Sequence, residues 1–270
     1  MPRAEPRRRP PSRFDVLGVE VSAIDVEQAR ETIFDWVERR EHHYVCVTGV
    51  HGVMESRHDE SLRRIHHDAG LVTPDGMPLV WLAHHRGLAH VTRVYGPDLM
   101  CACCGASVAH GYRHFLYGAT DRVTERLAAR LRRQYPRLEI TGRYSPPFRA
   151  LTAAEDDDVS RRIADSGADI VWVGLSTPKQ ERWMADHVNR VAAPVLVGVG
   201  AAFDFLSGEK RQAPRWMQRN GLEWLFRLAA EPRRLGARYL VNNPRFIWEV
   251  LRSGELRRGG SATRQAQEAS

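Results

Sequence analysis

Asp75 lies between Pro74 and Gly76, three residues after the short apolar pair Leu71-Val72. Proline fixes the backbone there and glycine removes side-chain bulk. A carboxylate so placed projects into a loop crevice, where it can deprotonate a hydroxyl as a general base. The same tripeptide also serves as an ordinary Asx turn, so both readings stand. Thr177-Pro178-Lys179-Gln180 opens a second candidate segment. Proline suits the first turn of a helix, and the helix dipole, the Lys179 charge and the Gln180 amide then converge on an anion or a sugar hydroxyl. A plain capping arrangement is the alternative. Arg93, in Thr92-Arg93-Val94-Tyr95-Gly96-Pro97-Asp98, can clamp a diphosphate through its planar fork or pair locally with Asp98.

Elements must hold these residues in place, and the hydrophobic pattern predicts them. Strands are expected at residues 16–24, 44–48, 71–72, 114–117, 138–141, 169–174 and 195–199. Between them, helices are expected at 25–40 with an Asp25 cap, 51–68, 78–86, 121–134, 152–166 and 178–191. Short apolar strands alternating with helices imply an α/β fold, a Rossmann-like parallel sheet with helices on both faces. Ligands of such sheets sit at the carboxyl ends of the strands. The residues after those ends are Thr48-Gly49, then Asp75, Gly118-Ala119-Thr120, Ser145, Gly174 to Gln180, and Gly198 to Ala201 with Gly200 among them. Small, hydroxyl and amide groups dominate, which suits a phosphate-bearing ligand met by backbone N–H groups. Neither G-x-G-x-x-G nor a Walker sequence is present, so no dinucleotide or P-loop cofactor is expected.

Beyond residue 208 the strands stop. Trp216, Trp224, Phe226, Tyr239, Phe246, Ile247 and Trp248 are threaded among arginines, marking residues 207–258 as a helical appendage on a 14–206 catalytic body. The chain carries +7 overall; residues 207–258 hold +7, residues 1–13 hold +4, and the body is acidic at −4. Residues 1–13 and 259–270 read as tails without a role. Aromatics mixed with arginine describe a segment lying in a membrane interface, with a helical subdomain packed on the sheet as the alternative. A nucleotide- or nucleic-acid-binding regulator with an arginine-rich tail is the rival function class, though no nucleic-acid-reading motif accompanies the charge. The longest uncharged apolar run, residues 192–203, is far short of the ~20 residues a membrane span requires. No signal-peptide core follows the N-terminal arginines, so an exported chain is not expected. Four cysteines, three bunched at Cys101, Cys103 and Cys104, fit reduced structural thiols of a cytoplasmic protein better than a metal site or a disulfide framework. The His pairs 42–43, 66–67 and 84–85 fit no zinc spacing and read as surface residues. Asp156-Asp157-Asp158 reads as a solvated helix cap rather than a metal-holding triplet.

Several blocks in register resemble the WecG/TagA/CpsF family of bacterial glycosyltransferases. They are Thr73-Pro74-Asp75-Gly76-Met77-Pro78, Arg93-Val94-Tyr95-Gly96-Pro97-Asp98, Gly174-Leu175-Ser176-Thr177-Pro178-Lys179-Gln180-Glu181, Gly198-Val199-Gly200-Ala201, Ala213-Pro214-Arg215-Trp216 and Gly221-Leu222-Glu223-Trp224, spread over residues 14–252. The resemblance implies transfer of an N-acetylhexosamine (ManNAc-like) or a hexose from a UDP-sugar to a polyprenyl-diphosphate-linked sugar, with inversion and without a required metal. The product would feed polysaccharide or teichoic-acid-type biosynthesis. By the same resemblance Asp75 is the general base, Thr48 and Arg93 line the pocket, and Gln180 contacts the nucleotide sugar. His51, Gly118, Thr177, Lys179 and Gly200 complete the expected substrate-binding set. Arg227, Arg234 and Arg238 are expected to dock on the inner face of the cytoplasmic membrane and to close the site over the lipid diphosphate. Self-association in solution is a further expectation. In the family an asparagine stands two residues after the threonine. This chain reads Thr48-Gly49-Val50-His51, one residue shorter, which leaves His51 in place of that amide or a different sugar preference.

Overall fold

A computed structural model describes residues 10–254. The tail expected at 259–270 and residues 1–9 of the one expected at 1–13 lie outside the described residues; Arg13 already opens a strand. In chain order the elements are β1 (Arg13–Val16), β2 (Val19–Ser22), α1 (Val26–Arg39), β3 (His43–Thr48), α2 (Val50–His58), α3 (Glu60–Asp68), β4 (Leu71–Pro74), α4 (Met77–His85) and α5 (Gly96–His110). They continue as β5 (Arg113–Gly118), α6 (Asp121–Gln134), β6 (Glu139–Tyr144), α7 (Ala153–Ser166), β7 (Ile170–Gly174), α8 (Lys179–His187), β8 (Val195–Gly198), α9 (Ala202–Ser207), α10 (Arg215–Arg219), α11 (Glu223–Ala230) and α12 (Pro232–Arg252).

Strands β3 to β8 form one parallel sheet in the order β4-β3-β8-β7-β5-β6. Its central strands are apolar on both faces, as burial between two helical layers requires. Val45, Val47, Leu116, Trp172, Val195 and Val197 pack against α1, α5 and α6 through Ile33, Leu99, Cys103, Leu127 and their neighbours. The alternate residues Cys46, Phe115, Tyr117, Val171, Val173 and Leu196 pack against α2, α4, α7, α8 and the inner side of α12, with Met54, Leu79, Ile163, Met184, Phe246 and Val250. Each fully buried aliphatic side chain contributes about 1.5–3 kcal/mol of transfer free energy, so the sheet anchors the molecule. Cys46, Cys103 and Cys104 are buried free thiols, and burial pushes each up from its ordinary pKa.

Two local expectations are corrected, and one helix is unexpected. Residues 16–24 are not one strand: Leu17 and Gly18, at φ 53° and 90°, turn the chain so that β1 and β2 pair antiparallel. Residues 51–68 are not one helix either, because Asp59 is extended and its carboxylate caps α3 by accepting from the Leu62 N–H at 3.0 Å. Helix α5 has no counterpart in the expectations. Its Gly96-Pro97 opening looks like a turn, and its small residues are apolar nearly all round.

Gly118, expected to bind substrate, instead permits β5 and β7 to close. Its φ is +129°, and a Cβ there would lie 2.6 Å from the carbonyl carbon and oxygen of Gly174, its register partner. Gly118→Ala is therefore expected to lower unfolding free energy on the order of 2 kcal/mol. Urea denaturation measures this, and a midpoint equal to wild type would show that the strands can part without cost.

Candidate active site

The carboxyl ends of the parallel strands open into a cavity of about 1600 Å³. A drug-sized ligand occupies roughly 300–1,000 Å³, so there is room for more than one substrate. Helices α1, α3 and α7 are capped by Asp25, Asp59 and Thr152. By contrast, α2, α4 and α8, which start at the cavity, have Gly49, Gly76 and Pro178 at the cap position and no side-chain cap. In α4 the Leu79 N–H donates to the Gly76 carbonyl at 3.2 Å, and in α8 the Gln180 N–H donates to the Ser176 carbonyl at 3.0 Å; the remaining first-turn N–H groups have no side-chain cap. Ala119 and Ser176, after β5 and β7, hold φ values of 52° and 69°, and Gly200 after β8 holds 50°. Left-handed backbone thus gathers where the strands end.

Asp75 follows β4, and its N–H donates to the Thr48 carbonyl at 2.9 Å. Gly49 makes that approach possible, since a Cβ at this position would lie 2.5 Å from the Asp75 carbonyl oxygen. The Asp75 carboxylate accepts from Arg93 only through Oδ1, at 3.4 Å from Nε and 3.2 Å from Nη2. Its Oδ2 has no hydrogen-bond partner among the described residues. Arg93 Nη2 also donates to Glu223 Oε2 at 2.6 Å, while Tyr95 donates its hydroxyl to Glu223 Oε1 at 3.1 Å. The guanidinium carbon lies 4.0 Å from the centroid of the Tyr95 ring. Burial raises the Asp75 carboxyl above its ordinary pKa; Arg93 opposes the rise and Glu223 reinforces it. A carboxylate with one open oxygen, made more basic by its surroundings, is equipped to take a proton.

Across the cavity, Gln180 is 3% exposed and donates its amide to Glu181 Oε1 at 3.0 Å. Thr177 donates to the same oxygen at 2.8 Å. Gln180 Oε1 has no partner among the described residues, and buried polar atoms of that kind call for an explanation. Gly198 and Gly200 make space for this amide, with Gln180 atoms 3.2 Å and 3.3 Å from where their Cβ atoms would stand. An unsatisfied carbonyl oxygen at a cavity wall suits an N–H or O–H of a ligand. Lys179, one residue earlier, also lines the cavity.

The structure therefore brings His51, Asp75, Arg93, Thr177, Lys179, Gln180, Gly200, Arg227 and Arg234 to one cavity. Two expected residues lie elsewhere. Gly118 is spent on strand packing, and Thr48 is buried below the floor, its Oγ1 3.1 Å from His66 Nε2. Thr48 serves the site through its backbone carbonyl instead. The backbone of Arg238 belongs to α12, and its side chain lies outside the described residues. Arg93 does not pair with Asp98, which Arg215 takes at 3.2 Å. His66 is not a surface residue but a buried one, held by Ser56, Leu62 and Thr48, and burial lowers its pKa. Asp156 is no solvated cap: it accepts from His187 at 3.0 Å and Arg190 at 2.8 Å on the cavity wall.

Sequence reasoning missed Glu223, Tyr95, Lys210 and Asn242. Lys210 bridges Asp204 of α9 and Glu231 at the start of α12, at 3.1 Å to each. Asn242 of α12 places its amide nitrogen 3.1 Å from His51 Nδ1, bringing an amide to the place where the first strand end lacks one. Tyr95 and Glu223 stood inside quoted motifs, but only the distance between residues 95 and 223 in space reveals their bond. Among the described residues, no group of three His, Cys, Asp or Glu is arranged to hold a metal ion.

A doubly covered parallel sheet with a carboxylate and a guanidinium in a cavity at its strand ends is an α/β architecture with its cavity where such sheets hold ligands. Residues 14–260 match the sequence model of the glycosyl transferase WecG/TagA/CpsF family. The chain belongs to that family and is a glycosyltransferase. Among its relatives are two proteins described as N-acetylglucosaminyldiphosphoundecaprenol N-acetyl-beta-D-mannosaminyltransferase, from Staphylococcus aureus strains NCTC 8325 and MRSA252. Each is 25% identical over 246 residues, covering 90% of this chain and 93% of the relative.

The raised Asp75 carboxyl fixes the sign of a pH effect. A raised pKa keeps the group protonated, and so unable to accept a proton, to a higher pH than a free carboxylate. Turnover is expected to fall on the acid side at a pH above the ordinary carboxylate value of about 3.9. The kcat/KM profile from acid to neutral pH measures the limb; a limb at or below the ordinary value contradicts the assignment.

Proposed function

We propose that this chain transfers N-acetylmannosamine from a UDP-linked donor to a hydroxyl of N-acetylglucosamine carried on diphosphoundecaprenol. The observation that carries the reading is the open Oδ2 of Asp75 in a cavity large enough for both substrates, in a chain of this family. Asp75 takes the proton of the acceptor hydroxyl. The oxygen attacks the anomeric carbon as the bond to the UDP diphosphate breaks, and the electron pair leaves with the diphosphate. One displacement inverts the anomeric centre.

The leaving diphosphate requires positive charge. Lys179, Arg227 and Arg234 line the cavity, and the uncapped starts of α2, α4 and α8 face the same space. These groups are suited to the duty without a divalent cation. The Gln180 oxygen and the paired His51 and Asn242 are placed to receive polar groups of the donor.

The reading includes a membrane. No helix among the described residues is long and apolar enough to cross one. Trp216, Leu225, Leu240, Val241, Ile247, Trp248 and Leu251 are exposed on the appendage, among Arg215, Arg219, Arg233, Arg245 and Arg252. Apolar side chains beside arginines suit the headgroup boundary of an anionic leaflet, here the inner face of the cytoplasmic membrane. The body of residues 14–206 would then hold the donor while the 207–258 appendage presents the lipid.

Asp75→Asn is expected to cut transfer by about 10²–10⁴-fold while UDP still binds. Transfer of label from UDP-N-acetylmannosamine to a short-chain lipid acceptor reads this, and near-wild-type turnover removes Asp75 from the mechanism. A chelator is expected to leave the rate unchanged; a loss restored by a divalent cation contradicts the metal-free assignment. Sedimentation with anionic vesicles should be salt-sensitive and should vanish when residues 208–270 are deleted. Retention of nucleic acid in place of vesicles would favour the rival regulator.

A further inference from the structure

Glu223 is the one residue of α11 that is buried, at 9% exposure, and it comes from the appendage rather than the sheet. The segment ahead of it sits tightly on the body. Gly221, at φ +69°, has no room for a Cβ, which would lie 2.8 Å from the Trp81 ring and 3.2 Å from Met77 Cβ on α4. The charged and titratable groups around Asp75 are Arg93 and Tyr95, from the segment leading into α5, and Glu223 and Arg227, from α11.

Arg93 is held in an unusual way. A guanidinium beside a carboxylate ordinarily closes a two-pronged grip on both oxygens. Here Nη2 is shared, 3.2 Å from Asp75 Oδ1 and 2.6 Å from Glu223 Oε2, so its shorter bond is to the appendage. Tyr95 holds the other Glu223 oxygen at 3.1 Å and lies under the guanidinium. Without Glu223 nothing in this arrangement stops Arg93 from closing on both oxygens of Asp75. A carboxylate gripped that way has both oxygens engaged by the cation and is a weaker base.

We propose that Glu223 is a positioning residue: it holds Arg93 to the Oδ1 side of Asp75, keeps Oδ2 open for the acceptor proton, and makes the seating of α11 a condition for turnover. The inference rests on Asp75 acting as the base. It adds that the base is assembled from two parts of the chain, so the body alone carries Asp75 in a silenced form. Closure of the appendage then does more than cover the substrates.

The test uses the full chain, with transfer rates followed against pH. Glu223→Gln keeps the shape and removes the charge. Its kcat is expected to fall about tenfold, a fraction of a general base's whole contribution, with UDP affinity unchanged and the acid limb of kcat/KM moved to lower pH. Glu223→Asp is expected to return the limb toward wild type. Tyr95→Phe, which removes one of the two anchors of Glu223 and no charge at neutral pH, should lower kcat severalfold. A residue that only stabilised the fold would reduce active protein without moving the limb. A wild-type limb in Glu223→Gln, or wild-type kcat in Tyr95→Phe, overturns the proposal. Asp75→Asn separates the two ideas: full activity in that variant sinks the base assignment, whereas an inactive Asp75→Asn beside an unaffected Glu223→Gln sinks only the positioning role.

Discussion

One guanidinium shared by two carboxylates organises this molecule. Arg93 lies between Asp75 and Glu223, with the Tyr95 ring beneath it. Two negative charges and one positive charge in a largely dry place leave an excess negative charge. Burial makes the Asp75 carboxyl harder to ionise, and the nearby Glu223 charge adds to the effect. Burial raises its proton affinity, and the partial grip of a cation shared with Glu223 leaves one of its oxygens open.

The sheet supplies the frame for that arrangement. Every strand of a parallel sheet points its carboxyl end to the same edge, so the following helices turn their N-termini to one cavity. Asp25, Asp59 and Thr152 cap α1, α3 and α7, and Thr120 caps α6 at the cavity's edge. At α2, α4 and α8 the cap is glycine or proline and makes no side-chain hydrogen bond to the first turn. The glycines of the strand ends act by what they leave out. Gly49 lets the Asp75 backbone in, Gly118 lets β5 and β7 meet, and Gly198 and Gly200 admit the Gln180 amide.

The appendage completes the cavity rather than flanking it. Phe246 and Val250 of α12 join the core on one face of the sheet, and Lys210 ties α9 to the start of α12. Glu223, Arg227, Arg234 and Asn242 then reach the space above the strand ends. One surface of these helices is committed to the body, while Ile247, Trp248 and Leu251 remain exposed. A helix with one face buried and an apolar second face has two partners to satisfy, and the body is one of them.

The alternation of strands and helices, the parallel sheet, the cavity at its carboxyl edge and the place of Asp75, Lys179 and Gln180 were all legible in the residues. Each depends on periodicity, on Pro and Gly punctuation, or on a motif contiguous in the chain. Contiguous patterns could not say that Thr48 faces a buried histidine, that Gly118 is spent on packing, or that Arg93 prefers distant carboxylates to nearby Asp98. Those outcomes turn on which way a side chain points at a strand end and on partners from 18 to 130 residues away. Local residue types determined the fold and the chemical vocabulary of the site. Only tertiary packing decided which carboxylate keeps a free oxygen, because hydrogen bonds and Coulomb forces act over a few ångströms of space and take no account of separation along the chain.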